Sequence, residues 1–463
     1  MGRTSRKSRE TSQSPVEGKV IEMRNTQRED GSRRSRPPRV ATLLAGAVAV
    51  ALMTAACEVT NPGPVQDQYL DSPEARQGVV SGMVRAMSDV VSAGCGPALS
   101  RQGGAVAREI FPAGNTGTCG ITVAEARGEL PFDEENGIWT EAQNARWVAE
   151  DGIRRFQETM ESSAFQSSAL VAEAHVWAGF ANRMMGENFC QAVIDGGGAE
   201  PHTVYFERAE QFFSQAMDVA QSAGASEVAT AAQAGRASVR LYLGNLSGAA
   251  NDAQAVPMDF SFEIPYSNIS QAQRNTLWWS QQSTPYRTIS VWNTPNWEYY
   301  DNTGDPRVAW EADPEHEFGD ASREIIGGNV PFLKQLKYQS GDAPVDLADG
   351  REMLLIRAEV QLRNGEWENA MDLINQLRTS VGVAERSASN STEAWTYLKA
   401  ERRIELWLEA RRLGDLRRWS EEGTPGDLHP LEDPSNSGSY LVSDPDLCFP
   451  ISETERNTNP NIG

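Results

Sequence analysis

Two stretches of this 463-residue chain repeat one pattern: Leu241-x-x-Gly244-x-Leu246-x-x-Ala249 and Leu362-x-x-Gly365-x-Trp367-x-x-Ala370. In each, a Leu ends a helical period and a Gly turns the chain. An apolar residue, with an Ala three places on, then starts the next helix. The small Ala lets neighbouring helices approach closely, which is the helix–turn–helix logic of tetratricopeptide-like units. The copies start 121 residues apart, so the units form an interrupted set rather than a regular array.

The 3.6-residue period is sustained around these copies. Ser72-Pro73-Glu74 reads as an N-cap followed by Pro at the first helical position. Residues 95–137 are Gly-rich and read as irregular. From Gly137 the spacing predicts four helical runs: one through Trp139, Ala142, Ile153 and Phe156, one through Ala169, Ala172, His175 and Gly179, then Tyr205–Ala220 and Ser226–Leu243. Helices resume at 350–363 and 367–380, and 396–420 reads as one highly charged helix. Residues 421–463 are turn-rich and read as ending without a helix. The fold expected is mostly α, with tetratricopeptide-like repeats and an irregular, loop-rich insert at 257–348 between helical regions 57–256 and 349–463.

Residues 24–39 are polar and Arg-rich, and Val40–Ala56 is an uncharged run ahead of Cys57. The run is short for a spanning helix, which needs about 20 apolar residues, but it suits a secretory signal. Thr54-Ala55-Ala56-Cys57 resembles a bacterial lipobox, with Thr54 where Leu is usual. Residues 1–56 are therefore read as a signal peptide, and Cys57 as a lipidated first residue. The leader carries a net +6, and the remaining chain −28. Such an acidic body is repelled by phosphate backbones and anionic headgroups, so no nucleic-acid partner is expected, and membrane contact is through the lipid anchor only.

Four cysteines remain, Cys95, Cys119, Cys190 and Cys448, which allow three pairings in an exported chain. The preferred one staples the Gly-rich loop through Cys95–Cys119 and ties a helix end to the C-terminal segment through Cys190–Cys448. The four His (His175, His202, His316, His429) show no metal-ligand spacing, so no metal site is expected. Nucleotide, zinc-hydrolase and serine-elbow motifs are missing, so no cofactor or catalytic residue is assigned. Glu315 and Glu317, flanking His316, are the best carboxylate pair for glycoside hydrolysis, and read as surface residues.

Twelve Trp are too many for a solvated coil. Seven (Trp139, Trp147, Trp177, Trp367, Trp395, Trp407, Trp419) fall in helical stretches and read as core. The other five, Trp278, Trp279, Trp292, Trp297 and Trp310, lie in the insert with Tyr286, Tyr299 and Tyr300. A flat ring offers an apolar face to the C–H side of a sugar, and Asn or Asp binds its hydroxyls. The candidate ligand-binding residues are therefore Trp278, Trp279, Trp292, Asn293, Trp297, Tyr299 and Tyr300, with the Gly-rich 96–120 as a second candidate rim.

Met353-Leu-Leu-Ile-Arg-Ala-Glu359 with Ile374-Asn375-Gln376-Leu377-Arg378, and above all Glu401-Arg402-Arg403-Ile404-Glu405-Leu406 with Glu409-Ala410-Arg411-Arg412 and Asp415-Leu416-Arg417-Arg418-Trp419, resemble motifs of the SusD/RagB family. Ala410 stands where that family has Gly. Phe449-Pro450-Ile451 with Asn459-Pro460-Asn461, and Asp305-Pro306-Arg307 with Lys337-Tyr338, add weaker matches. The resemblance implies an outer-membrane lipoprotein facing outward. It would bind an oligosaccharide or peptide and pass it to a SusC-like TonB-dependent transporter. The alternatives are an exported glycosidase using insert carboxylates, and a scaffold with protein partners alone. Physically, Glu401, Glu405 and Glu409 share one helix face, and Arg411 and Asp415 form an i,i+4 pair. The charged motif thus reads as a structural ion-pair network rather than a ligand site.

Overall fold

Residues spaced three and four apart bury one face of most long helices, and the order of these faces builds the scaffold. The computed structural model describes residues 67–462 apart from 115–118, 283–285 and 324–325. Residues 1–56, expected to be a signal peptide, and Cys57 lie outside the described residues. Helices of eight or more residues are α1 (Arg76–Ser92), α2 (Leu99–Val106), α3 (Asn136–Thr159), α4 (Ala169–Asn188), α5 (Thr203–Ala223), α6 (Ser226–Tyr242), α7 (Leu246–Ala255), α8 (Pro295–Thr303), α9 (Gly350–Arg363), α10 (Trp367–Ser380), α11 (Ser391–Glu405) and α12 (Arg412–Glu422).

Helix α4 is the centre of the scaffold. It is buried almost all round from Val171 to Asn188 and packs against α3, α5 and α6. Close approach rests on small residues: Phe213 of α5 seats its ring against Gly179 of α4 and Gly235 of α6. The repeated pattern forms the turns it predicts. Gly244 between α6 and α7 (φ 73°) and Gly365 between α9 and α10 (φ 82°) are left-handed, where a side chain is strained. Ala249 and Ala370 are fully buried. Distant in sequence, the two units meet in space, because α7 packs on α9. The main core runs from Val80 to Ile451 and draws on all three predicted regions.

Short antiparallel ladders organise the insert and its neighbours. They are β1 (Phe111–Pro112), β2 (Gln191–Ala192), β3 (Glu200–Pro201), β4 (Ser261–Ile264), β5 (Ile289–Ser290), β6 (Trp310–Ala312), β7 (Phe318–Arg323), β8 (Gly328–Pro331), β9 (Leu333–Gln335) and β10 (Val345–Asp349). The pairs are β1–β5, β2–β3, β4–β10, β6–β9 and β7–β8. In the first of these, Phe111 is opposite Ser290, which joins the Gly-rich rim to the insert. Cys95 is bonded to Cys119 with Cα atoms 4.6 Å apart, and Cys190 to Cys448 with Cα atoms 5.0 Å apart. Beside the second bridge, Cys190 N–H donates to the Phe449 carbonyl (2.9 Å) and Phe449 N–H to that of Asn188 (2.7 Å).

Several expectations are corrected. The irregular stretch 95–137 contains α2, which is almost wholly buried. Trp147 is 52% exposed, because the buried face of α3 follows Ala142, Ala145 and Ala149. Trp367 is only half-buried. The tail is not helix-free: Ser452 caps a short helix, Glu453–Thr458, by accepting from Glu455 N–H.

The single helix expected at 396–420 is two helices, α11 and α12, so Glu409 leaves the face of Glu401 and Glu405. Between them Leu408 (φ 65°) and Ala410 (φ 60°) are left-handed. The break lets Trp407 enter the core, where its indole N–H donates to the Glu109 carbonyl (3.0 Å). It also swings Arg411 away from Asp415. Arg411 instead lies between Glu187 (3.0 Å) and Glu352 (2.7 Å), all three buried. Asp415 pairs with Arg402 (2.6 Å) and Arg418 (3.2 Å), and Arg418 also binds Glu359. Arg412 grips Glu432 through two hydrogen bonds of 2.7 and 2.9 Å. Glu401 is held by Arg378 and by Arg307 (3.0 Å). Burial works against the Glu359 charge, but Arg418, Arg363 and Arg402 outweigh it and bring the carboxyl down to about 2.

Candidate functional site

The insert aromatics are anchored from below by backbone and hydroxyl contacts. Ser290 on β5 donates its hydroxyl to the Pro331 carbonyl (2.7 Å) and accepts from the N–H groups of Trp292 (3.1 Å) and Leu333 (3.1 Å). Trp292 thereby stands at the end of β5 with its ring edge-on to buried Phe111, centroids 5.1 Å apart at 88°. Thr294 caps α8 by accepting from Trp297 N–H (3.2 Å), and this sets the Trp297 ring 6.4 Å from that of Trp292 at 45°. Asn293 between them is left-handed (φ 56°) and donates its amide to the Gly438 carbonyl (3.0 Å). Tyr440, also left-handed (φ 58°), brings a further ring to Phe111 at 6.0 Å.

This corner is half-open. Trp292, Asn293 and Trp297 are all half-buried. Neither indole N–H has an acceptor among the described residues, and neither is sealed off from solvent; the Asn293 side-chain carbonyl is in the same position. Two tilted rings, two free donors and one free acceptor therefore share a small surface. That combination suits a ring ligand with an apolar face and a belt of hydroxyls.

The other predicted residues are placed elsewhere. Trp278 and Trp279 lie on the helical turn Thr276–Trp279, stacked at 5.9 Å and 30°. The Arg274 guanidinium stands 4.6 Å from the Trp279 ring centroid, and Tyr286 closes the group at 5.4 Å. The Trp279 indole N–H is enclosed without an acceptor among the described residues. No ring contact among the described residues links this group to Trp292. Tyr299 contacts Asp305 and Arg378 through its hydroxyl (both 3.1 Å), inside the ion-pair network, and leaves only its ring available. Tyr300 packs edge-on to Trp310 at 5.9 Å. The seven candidates thus fall into separate groups, and Trp292, Asn293 and Trp297 form the one corner.

Tyr440 was not expected at this corner. Its sequence neighbourhood, Ser437-Gly438-Ser439, signals only a turn, and its role depends on the Asn293–Gly438 contact between distant segments. Phe111 falls in the stretch read as a second rim, and the β1–β5 pairing brings it in.

The carboxylate candidates lie at the surface, as expected. Glu315 and Glu317 are exposed, and the His316 ring contacts the Asp313 carboxylate (3.2 Å) instead. Asp346, Asp349 and Glu409 bring carboxylate oxygens within 4.8 Å of one another. Each has a structural partner: Asp346 accepts from Ser261 (2.6 Å), Asp349 caps α9 through Glu352 N–H (2.6 Å), and Glu409 pairs with Lys337 (2.6 Å). Burial, then Glu405, raises the Asp349 carboxyl to about 7.

A scaffold of paired helices with an aromatic, loop-built corner defines a helical-repeat class of protein. The SusD family model matches residues 351–462, which hold the charged junction. Across the chain, a SusD superfamily protein from Parabacteroides distasonis shares the fold at a TM-score of 0.63 and 13% identity, covering 84% of this chain and 98% of that one. A laminarin-binding SusD-like protein does so at 0.61 and 15%, covering 85% and 98%. A SusD-like carbohydrate-binding protein from Bacteroides vulgatus does so at 0.60 and 13%, covering 84% and 97%. No curated protein matches the chain in sequence. Residues 351–462 thus match the SusD family, and the fold of the chain is the mostly helical, tetratricopeptide-like fold of SusD-like proteins.

Proposed function

We propose that this protein binds an extracellular oligosaccharide at the Trp292–Trp297 corner, without catalysis, and passes it to a SusC-like TonB-dependent transporter. In this reading a lipid on Cys57 holds it to the outer face of the outer membrane. The observation that carries the binding role is the pair of tilted indoles with free N–H donors around Asn293. Stacking supplies area at low ordering cost, and the fixed Asn and indole groups supply direction. The laminarin-binding protein of the same fold supports a glycan over a peptide. Among the described residues no helix is long and apolar enough to cross a membrane, which is compatible with a lipid anchor.

Calorimetry of the mature chain against a glycan panel tests the binding role. The expected result is saturable binding of at least one oligosaccharide, abolished or weakened by Trp292→Ala and Trp297→Ala. Binding that ignores both substitutions overturns the site. Release of reducing ends on incubation would overturn the non-catalytic reading. Co-purification with the transporter encoded nearest to this chain tests the hand-off, and a chain with Cys57→Ala that still partitions into membranes would remove the anchor.

A further inference from the structure

A second cleft, of about 330 Å³, opens between the C-terminal half of α8, helix α11 and residues 427–432. Its size is at the small end of ligand pockets, room for one or two sugar residues. Its lining is unusual for a body of net charge −28, because four cations, Arg386, Lys399, Arg403 and Arg412, reach it.

Three of the four are under-paired. Arg412 is satisfied by its two bonds to Glu432. That carboxylate leaves Arg403 at 3.7 Å, and the Arg403 Nε donates instead to the neutral side-chain oxygen of Asn296 (3.1 Å). The terminal nitrogens of Arg403 have no hydrogen-bond acceptor among the described residues, although the side chain is only 7% exposed. The Lys399 ammonium donates to two backbone carbonyls, Gly426 (2.8 Å) and Thr424 (3.3 Å), and no described carboxylate lies within 4.0 Å of it. Arg386 rests its guanidinium over Tyr299 (5.5 Å) and Tyr397 (5.1 Å). Its nearest carboxylate is Glu401 at 3.9 Å, which Arg378 and Arg307 hold more closely. The acids of the rim are Glu298 and Asp427, both exposed. His429 accepts from Leu431 N–H through Nδ1, which assigns its proton to Nε2, facing Glu298 at 3.6 Å. Burial pulls Arg403 down to about 10 and lowers Lys399 as well.

Cations removed from water whose nearest carboxylates are distant and held more closely by other partners are costly, and a ligand carboxylate between them would recover that cost through charge-assisted, bidentate bonds. We infer that this cleft binds the carboxylate of an acidic saccharide, a uronate unit, with Arg386 and Arg403 as its fork and Lys399 as the third donor. The Tyr299 ring and the Asn302 amide line the same cleft and offer contacts to the sugar ring. The inference rests on the glycan reading above and names a ligand class for it.

The test is calorimetry of the mature chain with glucuronate- and galacturonate-containing oligosaccharides of two to four residues. Each is paired with its methyl ester, which keeps the ring and removes the charge. Neutral oligosaccharides and acidic peptides complete the panel. At least one acid is expected to bind tenfold or more tightly than its ester, and less tightly as salt rises. Arg403→Gln and Lys399→Gln should reduce that acid to the affinity of its ester. Arg386→Gln, in a half-buried connecting segment, should do the same with least risk to folding, checked by circular dichroism. Equal binding of acid and ester in every pair overturns the inference while leaving the glycan reading intact. An acidic peptide that binds through Arg403 overturns the saccharide assignment. Absence of binding by any oligosaccharide, charged or neutral, overturns the glycan reading itself.

Discussion

The charged junction at 401–418 and the aromatic corner at 292–297 use polar groups in opposite ways. At the junction, Arg402, Arg411, Arg412 and Arg418 are buried and each meets a buried carboxylate, Arg402 that of Asp415 within the junction and the other three one from outside it. At the corner, two indole N–H groups and the Asn293 carbonyl are half-buried and meet nothing among the described residues. Polar groups that neutralise one another hold segments in register, and those left over are where a ligand finds partners. The cleft at Arg403 lies where these two regimes join: Arg412 is saturated, and its neighbour on α11 is not.

The sharpest way to break this contrast is to remove one member of the paired set. Arg411→Ala leaves Glu187 and Glu352 buried without their shared cation. The expected loss is about 3–5 kcal/mol, read as a shift in the urea midpoint. A loss below about 1 kcal/mol would mean that the junction does not depend on pairing.

Acid probes the same set more gently. The Glu359 carboxyl sits at about 2, below its ordinary 4.5, so the folded state binds fewer protons than the unfolded one between those values. Its contribution is present above pH 4.5 and is lost as pH falls toward 2. About 3 kcal/mol is at stake across that window. Glu359→Gln should therefore be destabilised at pH 7 and converge on the parent near the acid end. Parallel stability curves would show that Arg418 does not hold the charge.

The leftover groups give a different signature. Trp292→Ala should weaken glycan binding about thirtyfold, near 2 kcal/mol, while stability falls by less than Arg411→Ala causes. Equal damage to both quantities would make Trp292 a core residue and erase the contrast.

How much of this was legible depends on how local each signal is. The repeat at Leu241–Ala249 and Leu362–Ala370 specifies a helix end, a left-handed Gly and a buried Ala within nine residues, and each forms as written. Arg-rich and Glu-rich segments announce a network, but not its pairing. Spacing matches Arg411 to Asp415, whereas its partners Glu187 and Glu352 come from α4 and α9. The insert carries almost no periodicity, so sequence proximity alone groups its rings. The structure divides them through long-range contacts such as β1–β5 and Asn293–Gly438, which no local pattern encodes. Trp147 shows a similar limit: residue type pointed to core, and its phase against Ala145 and Ala149 put it outside.

The smallest expected effect concerns how the junction turns. Ala410 holds φ 60° where the resembling motif has Gly, and its carbonyl accepts from the Asn188 amide (3.2 Å), which ties the turn to α4. A left-handed Ala is strained by about 1–2 kcal/mol, which Gly relieves. Against this, Gly loses the buried methyl and gains freedom in the unfolded chain, together about 1–2 kcal/mol. Ala410→Gly should thus leave stability unchanged within about 0.5 kcal/mol. Ala370, equally small and fully buried but helical, has no strain to release. Ala370→Gly should lower stability by about 1.5–2 kcal/mol on the same methyl and entropy terms. If the two substitutions cost the same, Ala410 is not held left-handed. The break between α11 and α12, which delivers Arg411 to its partners, would then need another cause.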